Sequence, residues 1–195
     1  NNVTALLATQ RCLWIGTANG LVRFDGQAFT ALTTANGLVN NSIHSLLEDR
    51  QGGLWIGSPT GAMCLPPDGY ITYATDEAPA NLNIGTIGET PGGTIFAVGR
   101  EWWISFIADR RIVSVRPEVP SGARSMWASQ LGYQDRAGRF WALTTKGLCR
   151  YGTIRVADTS SPIRPERTYT RSDGLPSSMI FRLFEDRQGT YWIGT

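Results

Sequence analysis

The chain has 195 residues and a formal net charge of +2, with 42% hydrophobic and 17% charged residues. Seven Trp, seven Phe and six Tyr supply enough apolar surface for a packed core, which excludes a globally disordered chain. The near balance of charge gives no reason to expect a nucleic-acid partner, and no apolar run approaches the ~20 residues of a membrane-spanning helix, so we expect no direct membrane insertion by this segment.

Cysteine and histidine usage limits the chemistry that the chain can support. Cys12, Cys64 and Cys149 form no CxxC motif and are expected to be free thiols in the core. His44 is the only histidine, so no histidine pair is available for a zinc site or a general-base relay. No glycine-rich phosphate loop, calcium loop or nucleophile elbow is present. We therefore expect no cofactor and no metal.

In chain order, the first predicted elements are the strands Val3 to Ala8 and Leu13 to Thr17. The second strand carries Leu-Trp-Ile-Gly-Thr, a pattern that returns at residues 54–58 and 191–195, with weaker copies at 95–99 and 140–144. The aromatic residues of the five copies, separated by 41, 41, 45 and 51 residues, are Trp14, Trp55, Phe96, Trp141 and Trp192. Such a period is typical of propeller blades or helical-pair solenoids.

The second unit distinguishes between these two architectures. Its predicted strands run Ile43 to Asp49, Leu54 to Ser58, Ala62 to Leu65 and Tyr70 to Ala74. The first turn, Asp49-Arg50-Gln51-Gly52, has an Asp that can cap turn amides and a Gly that can adopt a positive φ. Related turns begin at Thr90, Asp135 and Asp186. Helices of ten or more residues do not fit between such turns, so the sequence predicts four-stranded antiparallel blades.

The predicted fold class is all-β, a β-propeller segment that occupies residues 1–195 as one domain. Its repeat units are approximately 1–38, 39–80, 81–122, 123–175 and a partial unit, 176–195. These units amount to about four and a half blades of a larger propeller, since propellers typically close with ~4 to 8 blades. The five repeated aromatic residues are interpreted as structural anchors that fill the space between blades.

Several segments resemble a known family. Residues 36–43, Asn-Gly-Leu-Val-Asn-Asn-Ser-Ile, lead into Leu46-Leu47-Glu48-Asp49 and the Trp55 strand, and residues 173–180 lead into the Trp192 strand in a similar way. This arrangement resembles the two-component regulator propeller repeat, as does the run Gly16-Thr17-Ala18-Asn19-Gly20-Leu21-Val22-Arg23-Phe24. The third unit, around Phe96, departs from the pattern.

The resemblance implies a seven-bladed propeller in the periplasmic or extracellular sensor region of bacterial hybrid or two-component histidine kinases. It implies a ligand-sensing segment that is not an enzyme, with a small molecule or oligosaccharide as its ligand. A homodimer formed through the parent protein is also expected. The kinase itself lies outside these residues.

Ligands of propellers commonly meet the loops that precede the innermost strand and those between the second and third strands. These loops hold the candidate ligand-binding residues Asn40, Asn41, His44, Ser45, Arg100, Glu101, Trp102, Trp103, Lys146 and Arg182, with Asn19 as a further candidate. Aromatic rings can stack on sugar C–H faces while amide, guanidinium and carboxylate groups bind hydroxyls. The Trp102-Trp103 pair breaks the repeat, and we expect one of the two indoles to pack in the core.

Alternative functions follow from the same residues. The run from His44 to Arg50 is similar to a phosphoacceptor helix, but the equivalent residue of the fifth unit is Phe181, which favours an ordinary strand position. The pairs Glu48-Asp49 and Glu185-Asp186 are interpreted as turn caps, and no catalytic residue is assigned. Two other functions stay open: a streptogramin-lyase-like or sialidase-like propeller enzyme, and a protein-interaction scaffold of the WD40 kind.

Overall fold

The computed structural model describes residues 2–66, 71–73, 83–108, 111–125, 130–155 and 162–195. Five antiparallel sheets follow one another along the chain, four with four strands and one with two, and the strands of each sheet are hydrogen-bonded in chain order. We call them blades 1 to 5. The predicted all-β propeller architecture is confirmed.

The strands of blades 1 and 2 are β1 (Val3–Ala8), β2 (Leu13–Thr17), β3 (Gly20–Phe24), β4 (Phe29–Leu32), β5 (Ser45–Glu48), β6 (Leu54–Ser58), β7 (Gly61–Leu65) and β8 (Ile71–Tyr73). Blade 3 consists of β9 (Thr86–Glu89), β10 (Ile95–Val98), β11 (Ile104–Ala108) and β12 (Arg111–Val115). Blades 4 and 5 consist of β13 (Gly132–Gln134), β14 (Phe140–Thr144), β15 (Gly147–Arg150), β16 (Arg167–Tyr169), β17 (Arg182–Glu185) and β18 (Tyr191–Gly194). Short 3-10 helices span Thr34–Asn36, Arg100–Trp102 and Arg171–Asp173.

The strand predictions differ from the structure mainly at the ends. β1 and β2 have the predicted bounds, whereas β5 begins at Ser45 rather than Ile43. The predicted ends of the fourth strand, Tyr70 and Ala74, lie outside the described residues, and β8 occupies the residues between them. β5 starts later because Ile43 donates its backbone N–H to the Thr17 carbonyl of blade 1, 2.9 Å away, and so joins two blades.

The repeated turn has the predicted chemistry. Asp49 Oδ1 accepts hydrogen bonds from the backbone N–H groups of Gln51 and Gly53, at 2.9 and 2.8 Å, and Gly52 has φ 81°. Asp49 Oδ2 accepts a further bond from the Trp55 indole Nε1–H at 2.7 Å. The carboxylate therefore closes the turn and also fixes the orientation of the anchor aromatic.

In the part of the chain that the structure describes, four apolar clusters form the core, one between each pair of consecutive blades. Trp55 packs with Ile84 and Ile87 of blade 3, and Trp141 packs with Ile180 and Leu183 of blade 5. Phe96 packs in the same way against Phe140 of blade 4. Trp55, Phe96 and Trp141 therefore fill the space between blades.

The last anchor differs from the others in burial. Trp192 of the two-stranded blade 5 is 63% exposed, whereas Trp55, Phe96 and Trp141 are each at most 5% exposed. Its Nε1–H still donates to Asp186, at 2.9 Å, so the turn and its indole keep the repeat geometry. Hydrogen bonding within the hairpin sets that geometry, and packing against a neighbouring sheet sets the burial.

The cysteines are free thiols within the described residues, and Cys64 and Cys149 are buried. Burial, with a smaller contribution from the nearby Asp49 charge, raises the pKa of Cys64 to about 11. No helix among the described residues has the length and apolar character needed to cross a membrane.

Candidate functional site

Antiparallel order gives each blade two loop-bearing ends. The upper face carries the loops between second and third strands and the connections from one blade to the next; the candidate ligand-binding residues come from these segments. The lower face carries the turns after the first strands, which begin at Thr9, Asp49, Thr90, Asp135 and Asp186.

A cavity of about 690 Å³ lies where the first strands of all five blades meet. Among its lining residues are Thr4, His44, Gly85 and Gln130 of blades 1 to 4, together with Arg182 of blade 5. Such an arrangement identifies β1, β5, β9, β13 and β17 as the innermost strands around a central channel. Of the sequence-predicted site residues, His44, Ser45 and Arg182 line this cavity.

The environment of His44 favours the uncharged imidazole. Burial lowers the pKa of His44, and the positive charge of Arg100 lowers it further, against an opposing hydrogen bond with the Ile84 backbone. The His44 Nε2 lies 3.3 Å from the Ser42 Oγ. A neutral imidazole can both donate and accept a hydrogen bond, which suits a ligand rich in hydroxyl groups.

Ser45, the next residue after His44, also lines the cavity and carries a second polar side chain. Its Oγ is buried, and no hydrogen-bond partner for it is found among the described residues. It lies opposite Gly57 in the β5–β6 ladder. Buried hydroxyls are normally satisfied, and the Ser45 Oγ is an exception that lies close over Gly57 of the neighbouring strand.

Two predicted site residues instead hold the connection between blades 1 and 2. Asn40 Oδ1 accepts the Ser42 N–H at 2.8 Å, and Asn41 Oδ1 accepts the Thr34 N–H at 2.8 Å. Both amide oxygens are therefore used in shaping the loop that leads to His44. Their role in this structure is to position the loop.

The loop between β10 and β11 divides its four predicted residues between surface and core. Arg100 and Glu101 are exposed, and Glu101 pairs with Arg116 at 2.9 Å. Trp103 is partly buried, with the Arg116 guanidinium 5.8 Å from its ring centroid. Trp102 is only 3% exposed and donates its Nε1–H to the Leu143 carbonyl of blade 4, at 3.2 Å. Trp102 is thus a core residue between blades 3 and 4, and its side chain is closed to a ligand.

Lys146 and Arg182 are exposed and come from different blades of the upper face. Neither they nor Arg100 form an ion pair with any described residue. The structure places Arg182 in the central cavity, Arg100 close enough to His44 to act on its charge, and Lys146 in the loop between β14 and β15.

Sequence reasoning missed several residues of the cavity, including Thr4, Thr86, Gln130 and Tyr133. The strand register shows which sequence signal could have identified some of these residues. Leu47, Gly88, Tyr133 and Phe184 each lie opposite their blade's anchor aromatic, so Gln130 and Phe181, three residues earlier, occupy the position of His44. Counting back from the anchors would have identified Thr4, Gly85 and Gln130, whereas Phe181 at the same position is not among the lining residues. Within the described residues, no group of three His, Cys, Asp or Glu side chains could hold a metal ion.

Comparisons with known proteins add a family and a fold. Residues 37–60 and 174–195 match the family described as two component regulator propeller. No curated protein sequence matches the chain.

Among solved structures, the extracellular domain of a hybrid two-component system from B. thetaiotaomicron is similar with a TM-score of 0.77 and 19% identity, over 100% of this chain and 26% of that one. A second such domain from the same organism has a TM-score of 0.72 and 21% identity, over 99% of this chain and 25% of that one. The chain thus spans about a quarter of the length of these relatives.

Virginiamycin B lyase from Staphylococcus aureus is also similar, with a TM-score of 0.70 and 14% identity, over 99% of this chain and 65% of the lyase. At these identities the likeness concerns the fold. A propeller scaffold is shared by extracellular domains of two-component systems and by an enzyme, so the residues of the site must decide between functions.

Proposed function

We propose that this chain, which contains two-component regulator propeller repeats, is a non-catalytic sensor segment of a bacterial signalling protein that binds a small molecule, of the oligosaccharide class, at its central cavity. The observation that carries the proposal is the convergence of His44, Ser45 and Arg182 from two blades on one cavity of about 690 Å³. That volume is within the range of ordinary ligand pockets, about 300 to 1,000 Å³.

The chemistry of the lining supports a hydroxyl-rich ligand. Gln130 and His44 can each donate and accept hydrogen bonds, and Arg182 presents several donors in a fixed plane. Gln130 already uses its Oε1 to accept the Leu183 N–H, at 2.9 Å, which leaves its amide donors for a ligand. An oligosaccharide offers both donors and acceptors in a dense array and so matches this set.

The position of the cavity supports a sensing role. Every blade contributes its innermost strand to the lining, so a ligand held there contacts groups on several sheets at once. A ligand that binds one arrangement of the blades more tightly than another shifts the population toward it. We propose that a homodimer of the parent protein, with this segment in the periplasm or outside the cell, passes that shift to its signalling module.

The test is a glycan screen followed by calorimetric titration of the glycan that binds. Arg182→Ala is expected to weaken binding at least tenfold, because it removes the guanidinium from the cavity. Arg187→Ala makes the same change in a lower-face turn and is expected to leave the affinity within twofold. Equal affinity of the two variants contradicts the site, and chemical conversion of the bound glycan contradicts the non-catalytic role.

A further inference from the structure

A second cavity, of about 480 Å³, opens on the lower face between blades 3 and 4. It lies between the turn that begins at Thr90 and the turn that begins at Asp135. It is separate in the fold from the central cavity, with which it shares no lining residue. The contacts that join neighbouring turns at other blade junctions explain why this cavity is open.

Between blades 2 and 3, an arginine joins the two turns. Arg50, which follows Asp49, pairs with Glu89 at 3.4 Å and donates to the Pro91 carbonyl at 3.1 Å. Between blades 4 and 5, Arg136 occupies the same turn position and donates its backbone N–H to Glu185, at 2.9 Å. At these two junctions a donor at the same turn position, a guanidinium in one and a backbone N–H in the other, bonds to the glutamate that ends the first strand of the next blade.

Both members of that pair are replaced at the junction of blades 3 and 4. The residue at the arginine position is Pro91, which has neither a guanidinium nor a backbone N–H to donate. The residue at the glutamate position is Gln134, which lies opposite Phe140 just as Glu89 lies opposite Ile95. The cavity is located where this link is missing.

Gln134 also has an unused acceptor. Its Nε2 donates to the Gly138 carbonyl at 3.0 Å, which fixes the orientation of the amide, while its buried Oε1 has no hydrogen-bond partner among the described residues. Between blades 2 and 3 and between blades 4 and 5, the equivalent glutamates bond to Arg50 and Arg136. A polar group left over at a cavity is a sign that a ligand or solvent completes it.

The lining combines an apolar floor with a basic rim. Phe106 and Ile154, 5% exposed each, provide the floor. Thr90 and Thr153 add hydroxyls, and Arg136 and Arg155 are the charged residues of the lining, which contains no carboxylate among the described residues. Apolar rings pack on such a floor, and guanidinium groups favour a carboxylate at the rim.

We propose that this junction is a second binding site, which takes a small ring compound bearing a carboxylate. Two sources share that chemistry, an aromatic acid and a uronic acid. Benzoate and glucuronate are the probes that distinguish them, and benzyl alcohol is the uncharged control for benzoate. The site is independent of the proposed sugar site on the channel.

The experiment is calorimetric titration of the protein with each probe, together with crystals soaked in the probe that binds. Binding of benzoate, of glucuronate or of both, with density between the turns at Pro91 and Arg136, supports the proposal. Absence of binding by both acids overturns it. Benzyl alcohol binding as tightly as benzoate also overturns it, because the carboxylate then contributes nothing.

A double variant tests the location by restoring the repeat. Pro91→Arg with Gln134→Glu is expected to recreate the Arg50–Glu89 link across the cavity and to weaken probe binding at least tenfold. Pro91→Ala leaves the cavity open, and Arg182→Ala alters only the central cavity, so both are expected to bind within twofold of the parent. Undiminished binding by a folded double variant, or loss of binding in Arg182→Ala, overturns the proposal. If the double variant does not fold, the soaked crystals of the parent decide.

Discussion

At the scale of single residues, the repeat pairs an aspartate with a tryptophan six residues later. The same carboxylate closes the turn and fixes the orientation of the indole. Asp135 Oδ2 accepts the Trp141 indole N–H at 2.9 Å, and Asp49 and Asp186 do the same for their own tryptophans. In blade 3 the position of the aspartate is occupied by Thr90, and the anchor is Phe96, whose ring has no N–H group that needs an acceptor. The two substitutions in blade 3 are therefore chemically consistent with each other.

His44 gives a pH-dependent prediction at this scale. Its pKa in the folded protein lies below the ordinary value of 6.5, so the unfolded chain takes up the proton first as the pH falls. We expect the free energy of unfolding to decrease as pH falls from about 6.5 toward the folded-state pKa of His44. His44→Gln is expected to reduce this decrease, measured by urea unfolding at pH 7.5 and 5.5.

The positive charge of Arg100 makes its own contribution to the lowered pKa of His44, and this contribution can be tested separately. Arg100→Ala is expected to raise the His44 pKa, measured by titration of the imidazole signals in NMR spectra, because the variant removes a nearby positive charge. Arg187→Ala, on the opposite face, serves as the control and is expected to leave the titration unchanged. A His44 pKa that is the same in Arg100→Ala and the parent would show that burial alone causes the shift.

At the scale of elements, the loop between β10 and β11 is the strongest departure from the repeat. Glu101 and Trp102 both have φ 60°, a region that costs a residue other than glycine about 1 to 3 kcal/mol. The loop holds this conformation while the Trp102 indole packs between blades 3 and 4 and bonds to Leu143. Burial of a large aromatic side chain offsets the backbone cost.

We predict different effects for the two tryptophans of this loop. Trp102→Ala is expected to lower the free energy of unfolding by about 3 to 5 kcal/mol, since it leaves a cavity in the core. Trp103→Ala is expected to cost about 1 kcal/mol or less, because the side chain lies at the surface edge of the same loop. Denaturant unfolding of both variants measures the difference, and equal losses would contradict the assignment of Trp102 to the core.

At the scale of the whole molecule, one backbone contact recurs between blades 1 and 2, between blades 2 and 3, and between blades 4 and 5. A Cβ on Gly16 would lie 2.7 Å from Ile43 Cγ2, and one on Gly57 would lie 2.8 Å from Ile84 Cγ2. Thr17, Ser58 and Thr144 each accept a backbone hydrogen bond from the isoleucine of the next blade, at 2.9 to 3.1 Å. In blades 1 and 2 the glycine before Thr17 or Ser58 leaves room for the isoleucine side chain of the next blade, whereas in blade 4 the same bond forms beside Leu143.

The close approach of Gly57 to the next blade predicts that a side chain at this position destabilises the protein. Gly57→Ala is expected to destabilise the protein by about 1 to 3 kcal/mol, because Ile84 and Ser45 must move to admit the methyl group. Gly92→Ala is the control, since its Cβ would meet only Thr90 Oγ1, at 3.8 Å. Thermal unfolding of the two variants compares them, and an unchanged midpoint for Gly57→Ala would show that the blades tolerate a wider separation.

The sequence by itself determined the elements of this protein and the order in which they occur. The spacing of Trp14, Trp55, Phe96, Trp141 and Trp192, with the turns before them, predicted five units of antiparallel strands and the role of the aromatic residues between them. These features depend on local hydrogen bonding and on a repeated pattern of burial, which a linear sequence displays directly.

Only the tertiary structure decided which residues meet. Thr4, Gln130 and Arg182 are far apart in the chain and are brought to one cavity by the arrangement of the blades. It also decided that Trp102 is buried while Arg100, two residues earlier, is exposed, and that Pro91 faces Gln134 across an open junction. Such outcomes depend on contacts between residues distant in sequence, whose geometry is set by how each sheet packs on the next.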